Sequence, residues 1–148
     1  GNLTALWGTK HLGYAVYDLP RPVAMFLIYP VSDLHLFDGI VDEELVRAVM
    51  DTLFGDNQSE ERKKEYSVLE HMDQDYPPCY IACCRDDETV PCINSEKMYE
   101  KMQSLGIPAV LDEGEHGGHG FGDGRFADTK GWMERAVDFF AEAEEKQK

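Results

Sequence analysis

The 148 residues carry 29 acidic and 14 basic side chains, a formal net charge of −15, so nucleic acid and anionic membrane surfaces are excluded as partners by repulsion. Hydrophobic residues make up 43% of the chain, enough for a core that buries roughly two-thirds of the surface an unfolded chain of this size exposes. No apolar run approaches the ~20 residues that span a bilayer, and the opening residues lack the charged-then-apolar order of a secretory leader. These totals lead us to expect one domain over 1–148.

The first ordered element is the apolar run "VAMFLIY" (23–29), entered after Pro22. Near-continuous hydrophobicity of this kind marks a strand covered on both faces of a parallel sheet, and a proline is tolerated where a strand begins. Residues 32–76 then form a long, mostly helical excursion, longer than an ordinary crossover and expected to act as a lid. Within it, "VDEELVRAVMDTLFG" (41–55) offers Asp42 as N-cap and Val41 with Val46 as a hydrophobic staple. Leu45, Val49 and Leu53 recur every four residues as its apolar stripe, and Gly55 is the stop. Segment 56–71 is polar and partly helical.

A second strand is expected at "CYIACC" (79–84), after Pro78. Its Cys79, Cys83 and Cys84, together with Cys92, form no paired C-x-x-C, so they are read as reduced core thiols of a cytoplasmic protein rather than zinc ligands or a disulfide framework. In "SEKMYEKMQSLGIPA" (95–109), Met98, Met102 and Leu105 share a helix face. Gly106 ends that helix, with Ile107 folding back on Met102. "AVL" (109–111) is the third strand, and a last helix carries Trp132, Ala136, Phe139, Phe140 and Ala143 on its apolar side. Strands alternating with helices in this way predict an α/β fold with about three parallel strands and right-handed crossovers.

Ligands of such sheets gather beyond the carboxyl ends of the strands. Two polar loops fall there: "RDDETVP" (85–91) after the second strand and "GEHGGHGFGDG" (114–124) after the third. An aspartate from one and a histidine from the other can meet, the carboxylate holding the imidazole in one tautomer and stabilising its protonated form. His116 and His119 also make an H-x-x-H pair near Asp112, Glu113, Glu115 and Asp123, a donor set compatible with a divalent metal. A run of glycines fixes ligands poorly, so no metal is expected there.

In chain order, "RDDETVP", "NSEKMYEKMQSLGIPA" and "EHGGHGFG" resemble the C-terminal part of serine esterases of the α/β-hydrolase superfamily, in its lipase and acetyl-xylan-esterase-like branch. "LIYPV" resembles that superfamily's sixth strand and its exit. The resemblance implies a partial α/β-hydrolase fold and a reaction with no metal or organic cofactor. It selects Asp87, just ahead of Val90–Pro91, as the acid and His119, in Gly-Gly-His-Gly-Phe, as the base. The same resemblance places Tyr29, Asp33 and the helix at 42–54 in a region that shapes the ester pocket.

The superfamily's nucleophile stands in a G-x-S-x-G elbow, with the triad in the order serine, acid, histidine. The opening "GNLTALWGT" resembles the segment immediately downstream of such an elbow, and Ser32, Ser59, Ser67, Ser95 and Ser104 all lack the elbow context. The expectation is therefore the C-terminal portion of a serine carboxylesterase or lipase acting on a small-molecule ester, contributing Asp87 and His119 and inactive alone. The alternative is a non-catalytic interaction module whose His–Asp pair is vestigial. With no fifth strand encoded, the strand at 23–29 presents an open edge, from which self-association is expected.

Overall fold

The computed structural model describes residues 1–37 and 39–146. Three strands form one sheet: β1 (Met25–Ile28), β2 (Cys79–Cys84) and β3 (Ala109–Gly114), ordered β1-β2-β3 and parallel throughout. Met25, Cys79 and Ala109 stand in register. Pro78 and Pro108 have no amide to offer at the strand starts, yet their carbonyls accept from Met25 and Cys79 at 2.9 and 3.2 Å. Each proline thus opens its own strand and the ladder to the preceding one.

β2 is the central strand, and all six of its residues are buried. Its Cys79 and Ile81 join Met25, Leu27, Tyr76, Val68, Met98 and Met102 in the larger core. Tyr80 and Ala82 face the other way and pack on Ala136, with Trp132 and Phe139 beside them. The layers arise from these two faces. α1 (Asn2–Trp7) and α5 (Ile93–Ser104) supply Ala5, Leu6, Met98 and Met102 on one side, and α6 (Trp132–Glu145) covers the other. Full burial of Leu27 or Ile81 contributes about 1.5–3 kcal/mol each.

The excursion holds α2 (Glu43–Phe54), α3 (Glu60–Glu65) and α4 (Val68–His71), preceded by a short 3-10 turn at Leu34–Phe37. Asp42 caps α2, accepting from the amides of Glu44 and Leu45 at 3.0 and 3.2 Å, and Gly55 ends it with φ 55°. The apolar stripe differs from the expected one. Leu45, Val49 and Leu53 are 39%, 40% and 54% exposed, whereas Met50 is buried and Val46 packs on Phe37, Val41 and Val90. α2 carries two apolar rows, and the anchorage of Val41 and Val46 against Val90 decides which row turns inward.

α5 begins at Ile93, two residues ahead of the Ser95 start expected from sequence. Its end is as read: Gly106 at φ 70° donates to Gln103, and Ile107 donates to Met102 at 3.0 Å, a Schellman closure. The expectation of four reduced cysteines is corrected. Cys83 and Cys92 form a disulfide with their Cα atoms 5.8 Å apart, while Cys79 and Cys84 remain free and buried. The turn between β2 and α5 folds Cys92 back against the strand, a proximity that spacing alone does not reveal. Cysteine usage therefore no longer points to a cytoplasmic setting. No helix among the described residues is long and apolar enough to cross a membrane.

Candidate active site

β2 ends at Cys84, and Asp87 stands just beyond it at the carboxyl edge of the sheet. Its Oδ1 accepts from the amides of Thr89 and Val90 at 2.9 and 2.8 Å. This Asx turn is the short polar side chain satisfying its own loop. The two bonds pin the carboxylate and leave Oδ2 aimed at His119, whose Nδ1 lies 2.8 Å away. The Asp87 side chain has no solvent exposure, while that of His119 is 34% exposed. A buried carboxylate on Nδ1 holds the proton there, so Nε2 carries the free lone pair and can accept a proton.

The histidine reaches that position on a loop clamped from two sides. Asp86 accepts from Gly118 at 2.8 Å and Gly117 at 3.1 Å, and these two amides hold its carboxyl below the usual carboxylate range. Asp128 accepts from Glu115 at 3.0 Å and His116 at 2.8 Å, and its own amide donates back to the His116 carbonyl. The glycine content has a local cause at Gly117. With φ 155°, a Cβ there would stand 2.6 Å from both the Ala127 Cβ and the Cys84 sulfur. The Trp132 indole closes the far end, donating to the Gly122 carbonyl at 2.9 Å.

The structure thus brings Asp87 and His119 together and assigns their neighbours different work. Asp86 anchors backbone. His116 is 80% exposed, with Nδ1 3.6 Å from Asp86. The carboxylates weighed as metal ligands face protein cations: Asp112 holds Arg135 and the Tyr80 hydroxyl, Glu113 holds Arg85, and Asp123 holds Arg125. Cys92, Glu96 and Glu113 place donor atoms within 4.8 Å of one another, but the sulfur of Cys92 is committed to Cys83.

The serines are occupied elsewhere. Ser32 donates to the Asn94 carbonyl at 2.7 Å, Ser67 to the Lys63 carbonyl at 2.8 Å and Ser104 to the Lys101 carbonyl at 2.7 Å. Ser59 caps α3, and Ser95 is buried in α5.

Two residues that sequence reasoning passed over support the site. Asn94, fully buried, uses its side-chain oxygen to hold the amides of Ser32 and Asp33 at 3.0 and 3.2 Å, fixing the exit from β1. Asp128 clamps the histidine loop from thirteen residues beyond Glu115. Neither stands in a recognisable pattern. A buried asparagine at a helix start and an aspartate beside a glycine loop become informative only once the loops are folded.

Three parallel strands between helices, with an acid beyond the middle strand hydrogen-bonded to a histidine beyond the third, define a partial α/β-hydrolase fold. The sequence pattern of the prolyl oligopeptidase family matches residues 23–147, and the chain belongs to that family. It is similar to an acetyl ester-xyloside bifunctional hydrolase from Caldicellulosiruptor lactoaceticus, with 26% identity and a TM-score of 0.77 over 95% of this chain and 52% of that one. A sugar hydrolase from Lactococcus lactis shares 23% identity at a TM-score of 0.67, over 93% of this chain and 56% of that one. Esterase 2 from Thermogutta terrifontis shares 25% identity at a TM-score of 0.56, over 82% and 42%. The chain therefore spans about half the length of these structures. None of the curated proteins matches the sequence.

Proposed function

We propose that this chain supplies the acid and the base of a Ser-Asp-His triad that hydrolyses small-molecule carboxylic esters. The observation carrying the proposal is the 2.8 Å bond from His119 Nδ1 to an Asp87 carboxylate that two backbone amides already orient. Such a pair has the tautomer and the charge compensation that general-base catalysis by imidazole needs. An ester rather than a peptide substrate is favoured because two matched structures of 25–26% identity are described as an acetyl ester-xyloside hydrolase and an esterase.

In the reaction, His119 Nε2 takes the proton of a serine hydroxyl as the serine oxygen bonds to the ester carbonyl carbon. The carbon–alkoxy bond then breaks, and His119 returns the proton to the departing alkoxide. A water, deprotonated by the same nitrogen, cleaves the acyl-serine. Asp87 stays ionised and stabilises the imidazolium at each stage. The proposal takes the serine from outside this chain's five, of which Ser32, Ser67 and Ser104 donate to other carbonyls and Ser59 caps α3. Packing of Phe37 and Val41 against Val90, whose amide holds Asp87, supports a place for this part of the excursion beside the ester pocket.

A half-exchange tests the proposal. This chain, replacing the matching half of the Caldicellulosiruptor hydrolase, should restore turnover of p-nitrophenyl acetate, and His119→Ala or Asp87→Ala should abolish it. An active chimera indifferent to His119→Ala overturns the assignment. So does turnover by the 148-residue chain alone that vanishes in His119→Ala, because the serine would then lie within it.

A further inference from the structure

Tyr29 leaves β1 with φ 41°, a left-handed conformation that a bulky residue rarely adopts. Its amide still donates to the Ala82 carbonyl at 2.7 Å, in step with the ladder, so the bend falls immediately after the last sheet bond. What the bend achieves is an aromatic contact. The Tyr29 ring lies 4.6 Å from the His119 imidazole, with 56° between the planes. On another side it meets Phe121 edge-on at 5.0 Å and 89°. Residues 119 and 121 of the glycine loop therefore both pack on one tyrosine.

The clamps of Asp86 and Asp128 hold the backbone of the loop ahead of His119 rather than its imidazole. Gly118 and Gly120 flank His119 at φ 60° and 76°, and a Cβ at either would meet nothing within 4 Å. Its bond to Asp87 fixes a single atom of the ring and leaves rotation about the Nδ1···Oδ2 line open. An aromatic neighbour restricts the remaining freedom by fixing the plane.

We propose that Tyr29 is a positioning residue for the base: its ring, buttressed by Phe121, sets the plane of the His119 imidazole so that Nε2 keeps one direction while Nδ1 stays on Asp87. This rests on the reading of His119 as the base, and it adds a requirement for an aromatic ring at position 29. The hydroxyl plays no part, so phenylalanine is expected to substitute.

The test uses the isotopically labelled chain and the downfield NMR resonance of the His119 Nδ1 proton, which is visible only while the hydrogen bond to Asp87 persists. We expect a sharp resonance in the native chain and in Tyr29→Phe, and its loss in Tyr29→Leu with the backbone amide spectrum otherwise retained. Asp87→Asn should abolish it in any background. A resonance as sharp in a folded Tyr29→Leu as in the native chain overturns the positioning role alone. A native chain without the resonance overturns the acid–base pair instead. Should Tyr29→Leu fail to fold, Phe121→Leu decides, since it removes the buttress without touching β1: broadening supports the role, and an unchanged line refutes it.

Discussion

Replacing Asp87 with alanine should destabilise the fold by about 2–4 kcal/mol, and replacing it with asparagine by about 1 kcal/mol. The carboxylate accepts from the amides of Thr89 and Val90 at 2.9 and 2.8 Å, and hydrogen bonds to charged groups contribute about 1.5–3 kcal/mol each. Thr89 is exposed, so water replaces much of its bond. Val90 is buried against Phe37 and Val41, so its orphaned amide carries most of the cost. Asparagine keeps an acceptor for both amides at neutral strength. Its NH2 group, however, confronts the Nδ1 proton of His119, and the imidazole must turn or change tautomer.

Urea unfolding followed by far-UV circular dichroism measures the difference. With m near ~2 kcal/mol/M for a chain of this size, Asp87→Ala should lower the midpoint by about 1–2 M and Asp87→Asn by about half a molar. The same asparagine variant should silence the half-exchange chimera. Equal midpoints for the two variants would refute the claim that the Asx turn, rather than the histidine bond, is the structural role of this carboxylate.

Protonating Asp86 should release the histidine loop in acid. Its folded carboxyl titrates below the ordinary 3.8, so its stabilisation is present above that value and disappears as pH falls through the lower one. Exchange of the Gly117 and Gly118 amides, corrected for intrinsic rates, should accelerate there and lose that dependence in Asp86→Asn. The excursion should show the opposite sign. Burial opposes protonation of His35, but its bonds to Asp33 and Glu60, at 2.8 and 3.0 Å, raise it above the ordinary 6.5. That contribution is complete below 6.5 and is lost as pH rises through the raised value, so melting curves should lose stability on the alkaline side in the native chain and not in His35→Gln. Among the described residues β1 lies at the edge of the sheet, and we expect this edge to drive self-association of the 148-residue chain: light scattering at micromolar concentration should report a dimer that Phe26→Lys disperses, and a native monomer would count against it.

Asp87 and His119 were singled out from Asp86 and His116 only by the motifs that resemble serine esterases, whereas Asp42, Gly55 and Gly106 announced helix ends because capping involves only the adjacent turn. Central β2 was plain from six consecutive small or apolar residues. β3 was underestimated as 109–111 because Asp112 and Glu113 looked like loop. Their carboxylates instead reach Arg135 and Arg85, which lets the strand run to Gly114.

What resisted reading depends on partners distant in sequence. The stripe on α2 could be recognised as apolar, but only Val90, about forty residues beyond it, decides that Val46 and Met50 turn inward rather than Leu45, Val49 and Leu53. The pairing of Cys83 with Cys92 required the path of the turn between β2 and α5. The contact of Tyr29 with His119 joins opposite ends of the sheet's sequence, the exit of β1 and the loop after β3.

The amino-acid order alone determined the alternation of strands and helices and the ends of the helices, since periodicity and capping act over a few residues, and its resemblance to serine esterases pointed to Asp87 and His119. Tertiary structure alone decided how Asp87 and His119 are held. Asp86, Asp128, Asn94 and Tyr29 act through hydrogen bonds and ring contacts that exist only after the sheet has brought the ends of its three strands side by side.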